Sequence, residues 1–334
     1  MDLNLFSYSY PKSLIAQHPL PERDLSRMMV INRSQKSCEH KSIQDLPDIL
    51  RASDLLIFND TKVFPARLMG EDESGKTIEI LLLNQKGNGW NCLGKPLKRI
   101  KVGMEIYFAE NFSGTITKKE NGFLEIEFHA ENLREQLEKI GLPPLPPYIK
   151  RKTALDYSKE DKERYQSLFA KNDGSAAAPT ASLHFSEALL KKIAAKNIEA
   201  AFVTLHVSTD TFLPIRAEKI ADHKMHGENF FVPKETREKI ARAKKEKRRV
   251  IAVGTTAVRA LESDWSKETT HLFITPGFKF KIVDAMLTNF HQPESTLLVL
   301  VSAFAGRELI LRAYTEAMEQ KYRLFSYGDC MLVV

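Results

Sequence analysis

The chain has 334 residues, 43% of them hydrophobic, which is enough for a sizeable core and long enough for two domains. Its 49 Lys and Arg exceed its 43 Asp and Glu, leaving a net charge of +6 that favours acidic partners but supplies only weak, sequence-independent attraction to RNA or DNA. The longest apolar run, residues 297–305, is far too short to cross a bilayer, and the first residues lack a secretory signal, so a cytoplasmic protein without a membrane partner is expected.

Residues 54–60, Asp-Leu-Leu-Ile-Phe-Asn-Asp, read as a buried strand that ends in polar groups, with Thr61 and Lys62 just beyond. Ligands in open α/β sheets sit at such strand ends. From 66 to 150 the pattern changes to short strands, near 77–83, 104–108, 114–117 and 123–128, punctuated by Gly and Asn. That texture predicts a small β-barrel or sandwich. The Leu-Pro-Pro-Leu-Pro-Pro-Tyr run at 142–148 closes it, because proline suits neither a helix interior nor a central strand. Helix 186–197, strand 198–207, helix 234–248 and strand 250–256 then alternate, followed by a strand near 271–274 and helices 295–305 and 307–321. The predicted fold is an α/β main domain built from 1–65 and 151–334, with an inserted all-β, barrel-like domain at 66–150. Cys38, Cys92 and Cys330 are odd in number and lack metal-type spacing, so they read as reduced, mostly packed thiols.

Several segments carry groups suited to chemistry. The loop Ala177-Ala178-Pro179-Thr180-Ala181-Ser182-Leu183-His184-Phe185 precedes Ser186, whose hydroxyl is placed to cap the next helix. His184 should therefore lie just outside a helix N-terminus, whose partial positive charge suits an anion. Gly254-Thr255-Thr256, with Arg259 one turn on, places hydroxyls and a cation at another strand-to-helix junction. The segment 89–96 imitates a P-loop, yet Pro96 stands where a Ser or Thr hydroxyl is required and no helix follows. Lys95, Lys98, Arg99 and Lys101 there read as surface charge or as a phosphate-contacting edge. His223 and His226, with Glu228 beyond them, have the spacing of a metal pair on a helix face but lack a recognised zinc pattern, so no metal centre is assigned. Acid/base or hydrogen-bonding work is favoured for them, histidine titrating near neutrality. Loops at Thr204-Leu205-His206-Val207, Asn289-Phe290-His291 and Ser326-Tyr327-Gly328-Asp329 add polar groups at strand ends, and a shared pocket is expected.

Together these segments resemble the S-adenosylmethionine:tRNA ribosyltransferase-isomerase family of queuosine synthesis. The resemblance runs end to end, through Leu14-Ile15-Ala16-Gln17, Pro19-Leu20-Pro21-Glu22-Arg23-Asp24, Phe58-Asn59-Asp60-Thr61-Lys62-Val63, Pro65-Ala66-Arg67, Gly94-Lys95-Pro96, Pro146-Pro147-Tyr148-Ile149, the Ala-Ala-Pro-Thr and Leu-His-Phe segments, Thr204-Leu205-His206-Val207, Met225-His226, Gly254-Thr255-Thr256, Leu287-Thr288-Asn289-Phe290-His291 and Phe325-Ser326-Tyr327-Gly328-Asp329. It implies ribosyl transfer from S-adenosylmethionine to a 7-aminomethyl-7-deazaguanine at the tRNA wobble position, giving epoxyqueuosine-tRNA, adenine and methionine. S-adenosylmethionine would be a co-substrate rather than a resident cofactor, and the enzyme is expected to be a monomer.

A sulfonium acidifies the neighbouring ribose C5′ protons, so a neutral base is needed, and His184 or His206 is the candidate. Asp60 or Asp329 would handle protons of the amine or of the departing adenine. The same resemblance points to Thr61, Lys62, Arg67, Pro179, Thr180, His223, His226, Thr255, Thr256, Arg259, Asn289, His291, Ser326 and Tyr327 as substrate-binding residues. Two departures stand out: Ser182 replaces a usual glycine, and Ser208 and Asp210 replace both glycines of a Gly-rich segment. These would strain the backbone if φ > 0 were required there, and the alternative reading is a tRNA-binding homologue with impaired catalysis. Replacing Lys98 and Arg99 by Ala should weaken tRNA binding and flatten its salt dependence; an unaltered salt slope would move the RNA surface elsewhere.

Overall fold

A computed structural model describes residues 1–87, 89–151, 159–208, 215 and 217–334. After three short 3-10 turns, β1 (Arg27–Asn32) and β2 (Ser37–Ser42) form a hairpin; α1 (Leu46–Ile49), β3 (Leu55–Asn59) and β4 (Thr61–Val63) follow. The chain then leaves for a barrel of β5 (Arg67–Glu71), β6 (Thr77–Lys86), β7 (Gly89–Lys95), β8 (Glu105–Ala109), β9 (Phe112–Glu120) and β10 (Phe123–His129), followed by α2 (Leu133–Ile140). It returns through α3 (Lys159–Arg164), β11 (Asn172–Ser175), α4 (Glu187–Ala195), β12 (Glu199–Leu205), β13 (Glu228–Phe231), α5 (Lys234–Lys245), β14 (Val250–Val253) and α6 (Thr255–Glu262). The last elements are β15 (Thr269–Thr270), β16 (Ala285–Asn289), α7 (Thr296–Ala305), α8 (Arg307–Glu319) and β17 (Cys330–Val333).

Among the described residues a nine-stranded mixed sheet runs β15-β13-β12-β3-β14-β16-β17-β1-β2. Its centre, β12-β3-β14-β16, is parallel; β17 turns antiparallel to β16, and β1 runs parallel to β17. Strand side chains alternate between two cores, as a sheet covered on both faces requires. Leu55, Ile57, Val250 and Ala252 join the cluster under α5, α6, α7 and α8, whereas Leu56, Phe58, Ile251 and Val253 pack with Leu189 and Ile193 of α4. Helix starts follow side-chain capping: Ser186 Oγ accepts from Leu189 N at 3.0 Å and Ser295 Oγ from Leu298 N at 3.2 Å. The expected strand at 271–274 is replaced by β15, two residues earlier, and β16 and β17, which complete the sheet, were not expected.

The six short strands close into a barrel, β10-β7-β6-β5-β8-β9. Gly94 is a packing requirement there: a Cβ would lie 2.4 Å from Ile100 Cδ1 and 2.6 Å from Leu124 Cδ1. The P-loop-like glycine and lysine are thus part of β7, not a phosphate cradle, and Lys98 and Arg99 lie exposed in the turn beyond. Cys92 and Cys330 are buried and Cys38 half-buried, all as free thiols. The chain enters and leaves the barrel side by side, since Arg67 N donates to Leu142 O at 3.1 Å and Leu142 N to Arg67 O at 2.8 Å. The Arg67 side chain reinforces this junction through Glu79 and Leu145 O. Among the described residues no helix is long and apolar enough to cross a membrane.

The turn leading into β17 is tightly determined. Asp329 Oδ1 accepts from Arg27 N at 2.9 Å and Oδ2 from Arg323 N at 2.8 Å, tying the turn to the start of β1. Gly328 has no room for a side chain, a Cβ lying 2.4 Å from Arg323 O. Gly328→Ala should therefore destabilise the protein by about 1–3 kcal/mol in urea unfolding, because backbone must move to admit the methyl group. A midpoint equal to that of the parent would refute this close packing.

Candidate active site

The C-terminal ends of the parallel strands converge on one pocket, the position that open α/β sheets reserve for ligands. Val207 follows β12, Gly254 to Thr256 follow β14, and Asn289 to Gln292 follow β16; Ala177 to Ala181 and Phe325 with Ser326 close the sides. The non-atom space there, part of it open to solvent, is about 640 Å³. Gly254 adopts φ +93°, which only glycine takes without strain, and so starts α6 directly against Ala181, whose Cβ would be 3.5 Å from a side chain at 254. Asn59 at the end of β3 clips this edge together: Nδ2 donates to Leu205 O at 2.9 Å and Thr256 Oγ1 at 3.1 Å, while Oδ1 accepts from Leu205 N and Thr61 N. Tyr148 OH meets Ser326 Oγ at 2.6 Å across the pocket wall.

A second, open cleft of about 2240 Å³ lies between barrel and sheet. The barrel contributes Leu83, Asn84, Gln85 and Trp90, α2 contributes Arg134 and Leu137, and the sheet side contributes Lys62, Gly174 and His206. His206 Nδ1 is 2.8 Å from Thr61 Oγ1, and its ring lies against Gly174, where a Cβ would come within 3.0 Å of Nδ1. Burial lowers the His206 pKa from 6.5, and the nearby Asp60 and Asp173 carboxylates oppose that shift. Asp60 is itself fixed, Oδ1 accepting from Thr204 Oγ1 at 2.6 Å and Asn172 Nδ2 at 3.1 Å. Lys62 pairs with Asp173 at 3.1 Å on the cleft wall.

Pocket and cleft are one chain thickness apart. His206 lines the cleft and Val207 the pocket; the same wall is tied by Val207 N donating to Ser175 Oγ at 2.9 Å and Ala176 N donating to Val207 O at 3.0 Å.

The structure gathers Pro179, Thr180, Thr255, Thr256, Asn289, His291 and Ser326 around the pocket, and Lys62 and His206 around the cleft. Thr61 stands beside His206. Others lie elsewhere. Arg67 sits in the barrel junction, and Arg259 is turned away from the α6 start to pair with Glu228 and donate to Leu272 O at 3.1 Å. Glu228 also accepts from Ser208 N at 3.0 Å. His223 and His226 do not share a helix face: they follow a 3-10 turn in a non-helical segment, and His223 packs edge-on to Phe273, ring centres 5.2 Å apart. Tyr327 OH donates to Asp161 Oδ1 at 3.3 Å, beside the buried Arg151–Asp161 pair. Asp329 spends both oxygens on backbone N–H groups. Burial raises its pKa, and it lies outside both cavities.

His184 is buried in the 3-10 turn Thr180–His184, just outside the start of α4 as its position before Ser186 implies. Its Nδ1 is 2.9 Å from Ser26 Oγ and its Nε2 3.2 Å from Asn289 Nδ2. Burial pushes its pKa down to about 4 and that of His291 to about 3, so both rings are neutral at pH 7. His291 Nε2 is 2.9 Å from Thr288 Oγ1. Neither Ser182 nor Ser208 has a positive φ, so the anticipated strain is absent at both; Asp210 lies outside the described residues. Phe325 is the pocket residue that does carry such strain, at φ +72°, and its ring packs on Tyr10 and Tyr148. Sequence reasoning missed Ser26, Thr288 and Phe325 as site residues, because a hydroxyl or a ring by itself marks no role and only the folded chain brings Ser26 to His184, Thr288 to His291 and the Phe325 carbonyl to Asn289.

The sequence profile described as queuosine biosynthesis protein matches residues 3–333. The chain belongs to that family. Proteins named S-adenosylmethionine:tRNA ribosyltransferase-isomerase are similar to it over 100% of both chains: one from Sulfurihydrogenibium sp. (strain YO3AOP1) is 46% identical, one from Thermosipho melanesiensis 46% and one from Staphylococcus haemolyticus 45%. The crystal structure of S-adenosylmethionine tRNA ribosyltransferase from Thermotoga maritima, 33% identical, aligns over 99% of this chain and 100% of its own with a TM-score of 0.56. The family member described here therefore keeps full-length similarity to proteins named as enzymes.

Because His184 is neutral in the fold but has an ordinary value of 6.5 when unfolded, the unfolded chain binds more protons between those values. Stability is complete above pH 6.5 and falls as pH drops toward 4, by about 3 kcal/mol for this one residue. Urea unfolding at pH 7 and 4.5 should show that loss, and His184→Gln should lessen it. An identical pH dependence in the variant would count against the buried, neutral ring.

Proposed function

We propose that this chain transfers and isomerises the ribosyl group of S-adenosylmethionine onto a 7-aminomethyl-7-deazaguanine at the tRNA wobble position, releasing adenine and methionine. The observation that carries this reading is the pair of adjoining cavities: a small pocket at the strand ends and a wide cleft separated from it by the chain at Ser175 and Val207. A reaction between a small co-substrate and an RNA base needs two neighbouring sites whose contents can be brought together, and here a single thickness of chain lies between them. In this reading S-adenosylmethionine takes the pocket and the RNA base enters the cleft beside Trp90. Residues 1–65 and 151–334 act as the catalytic domain, the inserted 66–150 domain supplies the far wall, and the protein works as a cytoplasmic monomer without a resident cofactor.

Of the two histidines considered as base, His206 suits the task better. It faces the cleft and is half-buried, and the Asp60 and Asp173 carboxylates oppose the lowering of its pKa by burial, whereas both His184 ring nitrogens are already engaged. The base removes a C5′ proton, whose acidity the adjacent sulfonium provides, and the resulting imidazolium is stabilised by the Asp60 charge. Asp60 is a positioning residue in this scheme, and Asp329 a structural one.

Incubation with S-adenosylmethionine and tRNA bearing the deazaguanine precursor should release adenine; tight tRNA binding without adenine would favour the impaired-homologue reading. His206→Ala should retain tRNA binding and lose roughly 10²-fold or more in turnover. Since the base must be neutral, kcat/KM of the parent should fall as pH drops below a value under 6.5 and level off above it. Loss of that acid limb in His206→Ala would support the assignment, and its persistence with unchanged turnover would reject it.

A further inference from the structure

Among the described residues the pocket lining contains no Asp, Glu, Lys or Arg, and its histidine, His291, is neutral. Such a cavity is poorly matched to the zwitterionic end of an amino acid or to a phosphate, both of which need charged partners once removed from water. It is well matched to a neutral heterocycle. Ala177, Ala178, Ala181 and Gly254 contribute only small side chains to the lining, while Asn289 supplies a polar edge.

Asn289 is only 2% exposed, and its amide is fixed from one side. Nδ2 donates to Phe325 O at 3.0 Å and faces His184 Nε2 at 3.2 Å. His184 Nδ1, placed against Ser26 Oγ at 2.9 Å, carries the ring proton in this arrangement and leaves Nε2 as an acceptor. Rotating the amide by half a turn would set Oδ1 against the Phe325 carbonyl and the His184 lone pair, two repulsive contacts. Oδ1 is thereby held as the free end. It is fully buried and finds no hydrogen-bond partner among the described residues, although the residue lines the pocket. A buried acceptor left unsatisfied is costly, and a ligand donor recovers that cost.

We propose that the pocket is the purine end of the co-substrate site, and that Asn289 Oδ1 accepts a hydrogen from the 6-amino group of adenine. His184 and the Phe325 carbonyl are the positioning groups that hold the amide in the accepting orientation, so the site selects a 6-aminopurine over a 6-oxopurine. This rests on the reading of the chain as an S-adenosylmethionine-dependent transferase and names the residue that recognises its leaving group.

Equilibrium titration of the full chain with adenine, hypoxanthine and unsubstituted purine tests it. Adenine should bind at least roughly 10-fold more tightly than either analogue, because hypoxanthine presents a carbonyl to Oδ1 and purine presents no donor there. Equal affinities for the three in the parent protein would overturn the proposal without recourse to any variant. Asn289→Ala, with its fold checked by circular dichroism, should remove the discrimination; retained discrimination would also overturn it. His184→Gln keeps an acceptor beside Nδ2 and should preserve the preference for adenine better than His184→Ala, and the reverse order would refute the positioning role. The outcome is separable from that of the enzymatic reading. Adenine release from S-adenosylmethionine with no preference for adenine over hypoxanthine would sink the purine site alone, whereas selective adenine binding with no turnover on precursor tRNA would sink the activity alone.

Discussion

The carboxylate of Asp329 holds the turn on which both sheet and pocket depend. Its two oxygens take the N–H groups of Arg27 and Arg323, so one buried side chain joins the start of β1 to the segment that enters β17. Charge-assisted bonds to backbone are among the stronger polar contacts, and here they act where burial disfavours the charged form. The turn in consequence has little freedom: Gly328 has no space for a Cβ, and Phe325 is kept at φ +72°, a conformation costing an aromatic residue of order 1–3 kcal/mol. The strain has a product. It aims the Phe325 carbonyl at Asn289 Nδ2 and brings Ser326 Oγ to Tyr148 OH, setting two walls of the pocket.

Much of this was legible in the sequence where a local rule governs. Ser186 caps α4 because its hydroxyl precedes a helical apolar period, and β3 and β14 are continuous apolar runs because a covered parallel strand has no polar face. The barrel announced itself by short strands broken at Gly and Asn. β16 and β17 did not, since Ala285–Asn289 and Cys330–Val333 lie beside motifs that read as loops. The site was legible as a set of polar strand ends and illegible as a set of roles. Nothing in the spacing of Arg259 reveals that it turns toward Glu228, or that Asp329 is committed to backbone N–H groups; those facts depend on contacts between residues 31 and 302 positions apart.

The residues that looked most chemical therefore divide by environment rather than by type. His184, His206 and His291 are the same imidazole in three settings. Two are sealed and serve as neutral hydrogen-bonding struts, and one borders an open cleft with a carboxylate nearby. Gly-to-Ser changes follow the same logic: a lost glycine matters only where the backbone needs φ > 0 or a closer approach, and Ser182 and Ser208 meet neither sign-of-φ demand.

The absence of formal charge among the described residues of the pocket lining also bears on how a purine would leave. A departing adenine carries developing negative charge until it gains a proton, and in a cavity without cations that charge is met by oriented dipoles rather than by a counter-ion. The first turn of α6, opening at Thr255 and Thr256 on the pocket, presents N–H groups that the helix itself cannot satisfy and the positive end of its dipole. A lysine or arginine there would also attract anions and repel a sulfonium. In the proposed reading, neutral walls hold the uncharged purine end of the co-substrate, and the helix start adds stabilisation as the bond to the ribose breaks. Gly254, at φ +93°, makes that placement possible, because it lets β14 turn into α6 without a side chain between the helix start and the pocket.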